Sequence, residues 1–227
     1  MTRGTRLSRV IRLAPAVLLG AAILAGGSPS LAAQELRVLP VDEAAQDPGF
    51  FAFRARLQRT IAERDTAALL AVVHPEIKLS FGDDYGIERF RETWLAEPEP
   101  SIWAELGTVL ALGGRFYDDS TFAAPYTYTD SPDEADPFEA LIALGDSVPL
   151  YAAPDDHADI VGILSFDVVR HAWDAPGLVP EGWVAVRLRD GTVAYATLAT
   201  VRSPIYYRAI FDRREGRWRM NIFIAGD

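Results

Sequence analysis

The sequence predicts an α+β chain: an N-terminal helical body, a small β-barrel after it, and a C-terminal β-hairpin that closes the fold. Three observations carry this. Phe50, Phe53, Leu57 and Ile61 recur at helical spacing, which puts them on one apolar face. Between residues 140 and 202, apolar runs of about five residues alternate with Gly, Pro and Asp turns, the pattern of closely spaced short strands. Near the C-terminus, Trp218, Met220, Ile222 and Ile224 alternate with Arg217, Arg219, Asn221 and Phe223, the period of a strand with one buried face. The expected division is 1–33 export signal, 34–139 helix-rich body, 140–202 barrel and 203–227 hairpin.

The elements follow in order. Residues 34–46 read as a linker or a docked strand through Leu36, Val38 and Val41. Asp47-Pro48 opens the first helix, an acidic N-cap with Pro at the first helical position. Asp65 caps a short second helix that ends at His74-Pro75, because Pro disfavours helical geometry in the residue before it. Ile77, Leu79 and Phe81 alternate, so a strand is expected over 76–81. Ile87, Phe90, Trp94 and Leu95 mark a third helix, halted by Glu97-Pro98-Glu99-Pro100. Ser101 caps a fourth, with Ile102, Leu106, Val109 and Leu110 inward and Gly113-Gly114 at its end. From 115 to 137 the pattern dissolves, apart from a short strand at Tyr126-Thr127-Tyr128, into an acidic linker.

In the barrel stretch, Val148 and Leu150 keep period two, and Ala153-Pro154-Asp155-Asp156 is a turn cluster. Val184, Val186 and Leu188 share one face of a strand, and Trp183 lies on the other. Asp190-Gly191 is a hairpin signal, since a type I′ turn needs positive φ at both central residues. The C-terminal hairpin needs a partner surface; packing on the helical body and extension of the barrel sheet both satisfy its apolar face.

Several segments together resemble the bacterial SH3-like (SH3b) domain. They are Gly145-Asp146-Ser147-Val148-Pro149-Leu150-Tyr151-Ala152-Ala153-Pro154, Ile160-Val161-Gly162-Ile163-Leu164, Gly182-Trp183-Val184-Ala185-Val186 and Asp190-Gly191-Thr192-Val193-Ala194-Tyr195-Ala196. Two departures stand out: Val148-Pro149-Leu150-Tyr151 replaces the usual Leu-Asn-x-Arg lead-in, and Ala194-Tyr195-Ala196 replaces the Gly-Tyr/Trp-Val end. The resemblance implies an SH3-like barrel that binds a cell-envelope ligand, a peptidoglycan peptide or glycan or an envelope protein. A second, partial resemblance links the body to the SnoaL-like, cystatin-type fold. It rests on Phe53, Leu57, residues 61–69, His74-Pro75-Glu76-Ile77 and residues 211–218.

Residues 1–33 have the three parts of a secretory signal. Arg3, Arg6, Arg9 and Arg12 form the basic part, 13–24 the apolar part, and small residues lead to cleavage near Ala33/Gln34. The apolar part is too short to span a bilayer. The expected location is therefore periplasmic or secreted, with no membrane contact after cleavage. Loss of those four arginines takes the formal charge from −10 to −14. So acidic a chain argues against nucleic acid and anionic membrane as partners. With no cysteine, packing alone must hold an exported fold.

Catalytic and metal-binding patterns are not evident. His74, His157 and His171 lie far apart without zinc-ligand spacing. Asp155-Asp156-His157-Ala158-Asp159 lacks the glycine and bidentate acid of a calcium loop. No catalytic residue, metal site or cofactor is expected. The candidate ligand-binding residues are Tyr151, Trp173, Trp183 and Tyr195, aromatic groups on or beside the barrel strands whose flat faces offer contact area. The alternative is a small-molecule binder or hydrolase-like enzyme using a pocket in the helical body, with Asp83, Asp84, Tyr85 or His74 at its mouth.

Overall fold

The computed structural model describes Met1 and residues 36–96 and 101–226. The expected export signal and the Pro98–Pro100 stop lie outside the described residues. The chain divides into units Met1–Gln34 and Glu35–Asp227, and the elements below belong to the second. Helices and strands both contribute, so the fold is mixed α+β.

Helix α1 (Pro48–Glu63) begins where Asp47 Oδ1 accepts the Phe50 N–H at 2.7 Å. It ends at Arg64 in the left-handed conformation, φ 51°. Helix α2 (Thr66–Val72) repeats the device with Asp65 and the Ala68 N–H at 2.9 Å. Strand β1 (Val73–Lys78) follows directly. It starts three residues before the expected strand and includes Pro75, which is tolerated because β1 is an edge strand. Helices α3 (Ile87–Trp94) and α4 (Ile102–Ala111) come next.

The stretch with no clear sequence pattern holds two short strands, β2 (Arg115–Asp118) and β3 (Thr121–Ala124). Each offers too few apolar residues for a period to show. The strand expected at Tyr126-Thr127-Tyr128 is instead a short helix, α5 (Tyr126–Thr129), which follows Pro125 and carries the buried Tyr126 ring.

The remaining strands are β4 (Ala140–Ala143), β5 (Val148–Tyr151), β6 (Ile160–Leu164), β7 (Val168–His171), β8 (Trp183–Arg187), β9 (Val193–Thr197), β10 (Val201–Arg202), β11 (Arg208–Arg214) and β12 (Arg217–Ile224). They fall into two sheets. One has the order β1-β12-β11-β3-β2, with β1 parallel to β12 and the other pairs antiparallel. The other has the order β10-β4-β7-β8-β9-β5-β6. Among the described residues no hydrogen-bonded seam joins β10 to β6, so this second sheet is not a closed barrel.

The C-terminal hairpin sits inside the first sheet, with β11 paired to β3 and β12 to β1. Ala124 on β3 lies opposite Ala209 on β11. The chain therefore leaves the five-stranded sheet and re-enters it on neighbouring strands, and the seven-stranded sheet is built in between. The apolar faces of α1 to α4 pack on the five-stranded sheet around Phe122, Phe211, Trp218, Met220 and Phe223. Phe50 anchors this core, with ring centroids 4.2 Å from Phe122, 4.9 Å from Trp218 and 5.7 Å from Phe211.

A separate core holds the seven-stranded sheet. Leu141, Ala143, Val148, Leu150, Leu164, Val169, Val184, Val186, Ala194, Ala196 and Val201 form one cluster. Every strand contributes at least one residue, so the sheet curls around its own interior. Val38, Tyr126 and Ile142 pack together where the two sheets meet. Leu36 and Val38 exchange backbone hydrogen bonds with Val168 and Phe166, at 2.8 and 2.9 Å. Arg54, nearly buried on α1, takes Asp42 in a two-pronged contact of 2.7 and 2.8 Å, which fixes this N-terminal stretch against the helix.

Candidate functional site

Three of the four candidate aromatic residues come together on the outward face of the seven-stranded sheet. Tyr151 lies opposite Tyr195 across β5 and β9, and Tyr195 opposite Ala185 across β9 and β8. Tyr151 and Trp183 meet edge to face, with centroids 5.4 Å apart and planes at 83°. Both are half-buried. Tyr195 is buried and forms a small second core with Ala172 and Ala185, against which Ala175, Val179 and Trp183 pack. It supports the surface from below rather than forming part of it.

Trp173 stands elsewhere. Its indole is 72% exposed and lies flat on the His171 ring, with centroids 3.6 Å apart and planes at 13°. His171 is opposite Val186, an interior residue. Residues opposite one another share a face, so the stack sits at the end of the interior side. Trp173 makes no ring contact with the other three among the described residues. Burial holds the His171 imidazole below its ordinary pKa, and its Nδ1 is buried without a hydrogen-bond partner. Tyr151 and Trp183 therefore lie on one surface and Trp173 on another, with Tyr195 buried beneath the first.

Beside Tyr151 runs the edge strand β6. Ile160, Val161 and Ile163 are 59%, 48% and 63% exposed. The edges of the five-stranded sheet carry charge: Glu76 and Lys78 on β1, Arg115 and Asp118 on β2. Strand β6 has neither charge nor proline, and among the described residues its protection is a register shift against β5.

The residues of the alternative reading, Asp83, Asp84, Tyr85 and His74, fall in two places. Under α1, the Phe50 ring packs against Phe53, Phe116, Phe122 and Trp218. Asp83, Asp84 and Tyr85 are exposed on a turn, closed by Leu79 N–H to Asp84 O and Gly86 N–H to Ile77 O at 2.9 and 2.8 Å. Asp84 accepts from Arg89 Nε at 3.0 Å. His74 lines a cleft of about 210 Å³ on the opposite face of the five-stranded sheet, with Asp212, Arg214, Glu215, Arg217, Arg219 and Asn221.

Asp155, Asp156 and His157 bring three possible ligand atoms within 4.8 Å of one another, all on exposed side chains. The Asp155 and Asp156 carboxylates raise the His157 pKa, as an acidic turn does without an ion.

Sequence reasoning missed a charged pair of a buried arginine and a half-buried glutamate. Glu105 on α4 and Arg202 on β10 interact electrostatically while Glu105 Oε2 and Arg202 Nε are buried without hydrogen bonds. Burial raises the Glu105 carboxyl and lowers the Arg202 guanidinium. Arg202 donates to the Tyr207 carbonyl at 2.8 Å and lies 4.9 Å over the Tyr206 ring. The two residues are 97 positions apart in sequence numbering, and no local pattern joins them.

The fold defines a class, a mixed α+β protein with two sheets. No protein-family model, curated protein or solved structure matches the chain. Among the described residues no helix is long and apolar enough to cross a membrane.

Proposed function

We propose that this is an exported, non-catalytic binding protein of the periplasm or cell exterior. Its seven-stranded sheet acts as an SH3-like module for a cell-envelope ligand, a wall peptide or glycan or an envelope protein. The observation that carries this reading is Trp173. An exposed indole normally loses rotamer freedom on binding. Here the ring is already held flat on His171 with most of its surface open. Such a platform suits stacking against a sugar or a peptide plane. The Tyr151–Trp183 pair and the aliphatic edge at Ile160 and Ile163 offer a second apolar surface.

The test is co-sedimentation of the processed protein with purified cell-wall sacculi at low and high salt, beside Trp173→Ala and Tyr151→Ala. Pelleting that survives salt and falls in Trp173→Ala supports the reading. Absence of pelleting at both salt concentrations removes the wall as the direct ligand. A small-ligand reading draws on a different feature, the arginine-lined cleft, and does not depend on the wall.

A further inference from the structure

The five-stranded sheet has one face under the helices and one face away from them. Trp218 and Met220 of β12 point to the first, so Arg217 and Arg219 alternate onto the second, and Asn221, at the register shift that follows, lines the same cleft. Asp212 and Arg214 of β11 join them there, with His74 of β1 and Glu215 of the turn, around the cleft of about 210 Å³. A strand face of this kind is usually only a solvated polar surface. Three features set this one apart.

First, Arg214 and Arg217 are direct cross-strand partners. Like charges opposite one another destabilise a sheet. Second, the charges do not cancel within the site. Arg219 lies opposite Asp212, yet the Asp212 carboxylate takes Arg214 Nη2, at 3.2 Å. Neither Arg217 nor Arg219 has an acidic partner among the described residues. This occurs in a chain of net charge −10, where acids are plentiful. Third, the neutral groups also present donors. His74 Nδ1 accepts the Glu76 N–H at 3.1 Å, which places the proton of a neutral imidazole on Nε2. Asn221 adds an amide.

We propose that this cleft binds a small oxyanion, a carboxylate or phosphate group, held by Arg217 and Arg219 with His74 and Asn221 as further donors. Arg is suited to this because its planar fork meets two oxygens of such a group together. The volume corresponds to about seven water-sized groups, which fits a small anion or the acidic end of a larger molecule. Binding would also place negative charge beside the Arg214–Arg217 pair. The site is on a different sheet from Trp173 and stands independently of the envelope reading.

The experiment is calorimetric titration of the purified protein with sodium phosphate and, separately, sodium succinate, each against sodium chloride at matched ionic strength. The expected result is saturable binding of at least one anion, with a dissociation constant on the order of 1 mM or tighter. Preference between the two names the group. Arg217→Gln and Arg219→Gln each weaken binding about tenfold or more, while Arg56→Gln, on the exposed side of α1, leaves it unchanged. Neither cleft variant lowers the parent's melting temperature in chloride, because neither arginine has an internal acidic partner to lose, and Arg217→Gln raises it slightly by relieving the repulsion from Arg214. Absence of saturable binding by both anions overturns the proposal. So does binding that Arg217→Gln and Arg219→Gln leave intact.

Discussion

The Asp42–Arg54 contact is the sharpest test of how the N-terminal stretch is held. The side chains differ in exposure, 45% for Asp42 and 10% for Arg54. Removing Asp42 leaves a guanidinium buried beside helix α1; removing Arg54 leaves a carboxylate that can turn to water. Asp42→Asn should therefore cost more than Arg54→Met. A fully buried pair broken on one side costs about 3–5 kcal/mol, and an exposed pair under about 1. With two charge-assisted hydrogen bonds and one half-exposed partner, about 2 kcal/mol is expected for Asp42→Asn. That is a fall in melting temperature of roughly 4–8 °C for a chain of this size. Burial of Asp42 raises its pKa, but the Arg54 fork and the Ala44 N–H outweigh it and hold the carboxyl below 3.8. The stabilisation is then fully present above that value and is lost as pH falls through the depressed folded pKa. Urea melts of the parent, both single variants and the double variant, at pH 7 and at acid pH, measure this. A coupling energy under about 0.5 kcal/mol at pH 7 would refute the reasoning, as would an Arg54→Met that costs more than Asp42→Asn.

Two further predictions use the same sheets. A Cβ at Gly114 would stand 2.0 Å from the Ala123 carbonyl oxygen, a contact with backbone that no rotamer can relieve. Gly114→Ala should cost about 3 kcal/mol in chemical denaturation, at the upper end for overpacking, and a loss below about 1 kcal/mol would show that the strands can part there. Ile163→Lys places a charge on the unguarded edge strand β6. It should change stability by less than about 0.5 kcal/mol and slow aggregation on concentration; light scattering identical to the parent's would mean that this edge is not the sticky one.

The helices were legible because their signals are local. Asp47-Pro48, Asp65 and Ser101 each mark a cap, and the structure shows each side chain accepting from the backbone three residues on. The strands of the seven-stranded sheet were legible where turns punctuate them. Strands β2 and β3 were not, because four residues carry too little periodicity; their place is set by Phe116 and Phe122 packing on Phe50. The placement of the hairpin was open for a related reason. Its alternation announces a buried face through Trp218 and Met220, but a register shift then turns Phe223, expected on the other side, into the core and leaves Ile222 half-buried outside it; the partner, α1 with β1 and β3, lies as far as 166 positions away, as in the Arg213–Asp47 contact of 2.9 Å.

The candidate site divides along the same line. Aromatic residue type marks Tyr151, Trp173, Trp183 and Tyr195, but type does not say which side of a strand each ring occupies. Register does: Tyr195 pairs with Ala185 and is covered by Ala175 and Val179, while Trp173 follows His171 to the other side. The arginines of the cleft show the reverse case. In sequence, Arg217 and Arg219 are only the polar half of an alternating strand. They gain meaning from Arg214, which the hairpin turn sets directly across from Arg217, and from Asp212, which its contact with Arg214 takes away from Arg219. Charge pairing across a turn is therefore where the molecule departs from the neutral expectation for a solvated strand face, and it is the departure that an anion would resolve.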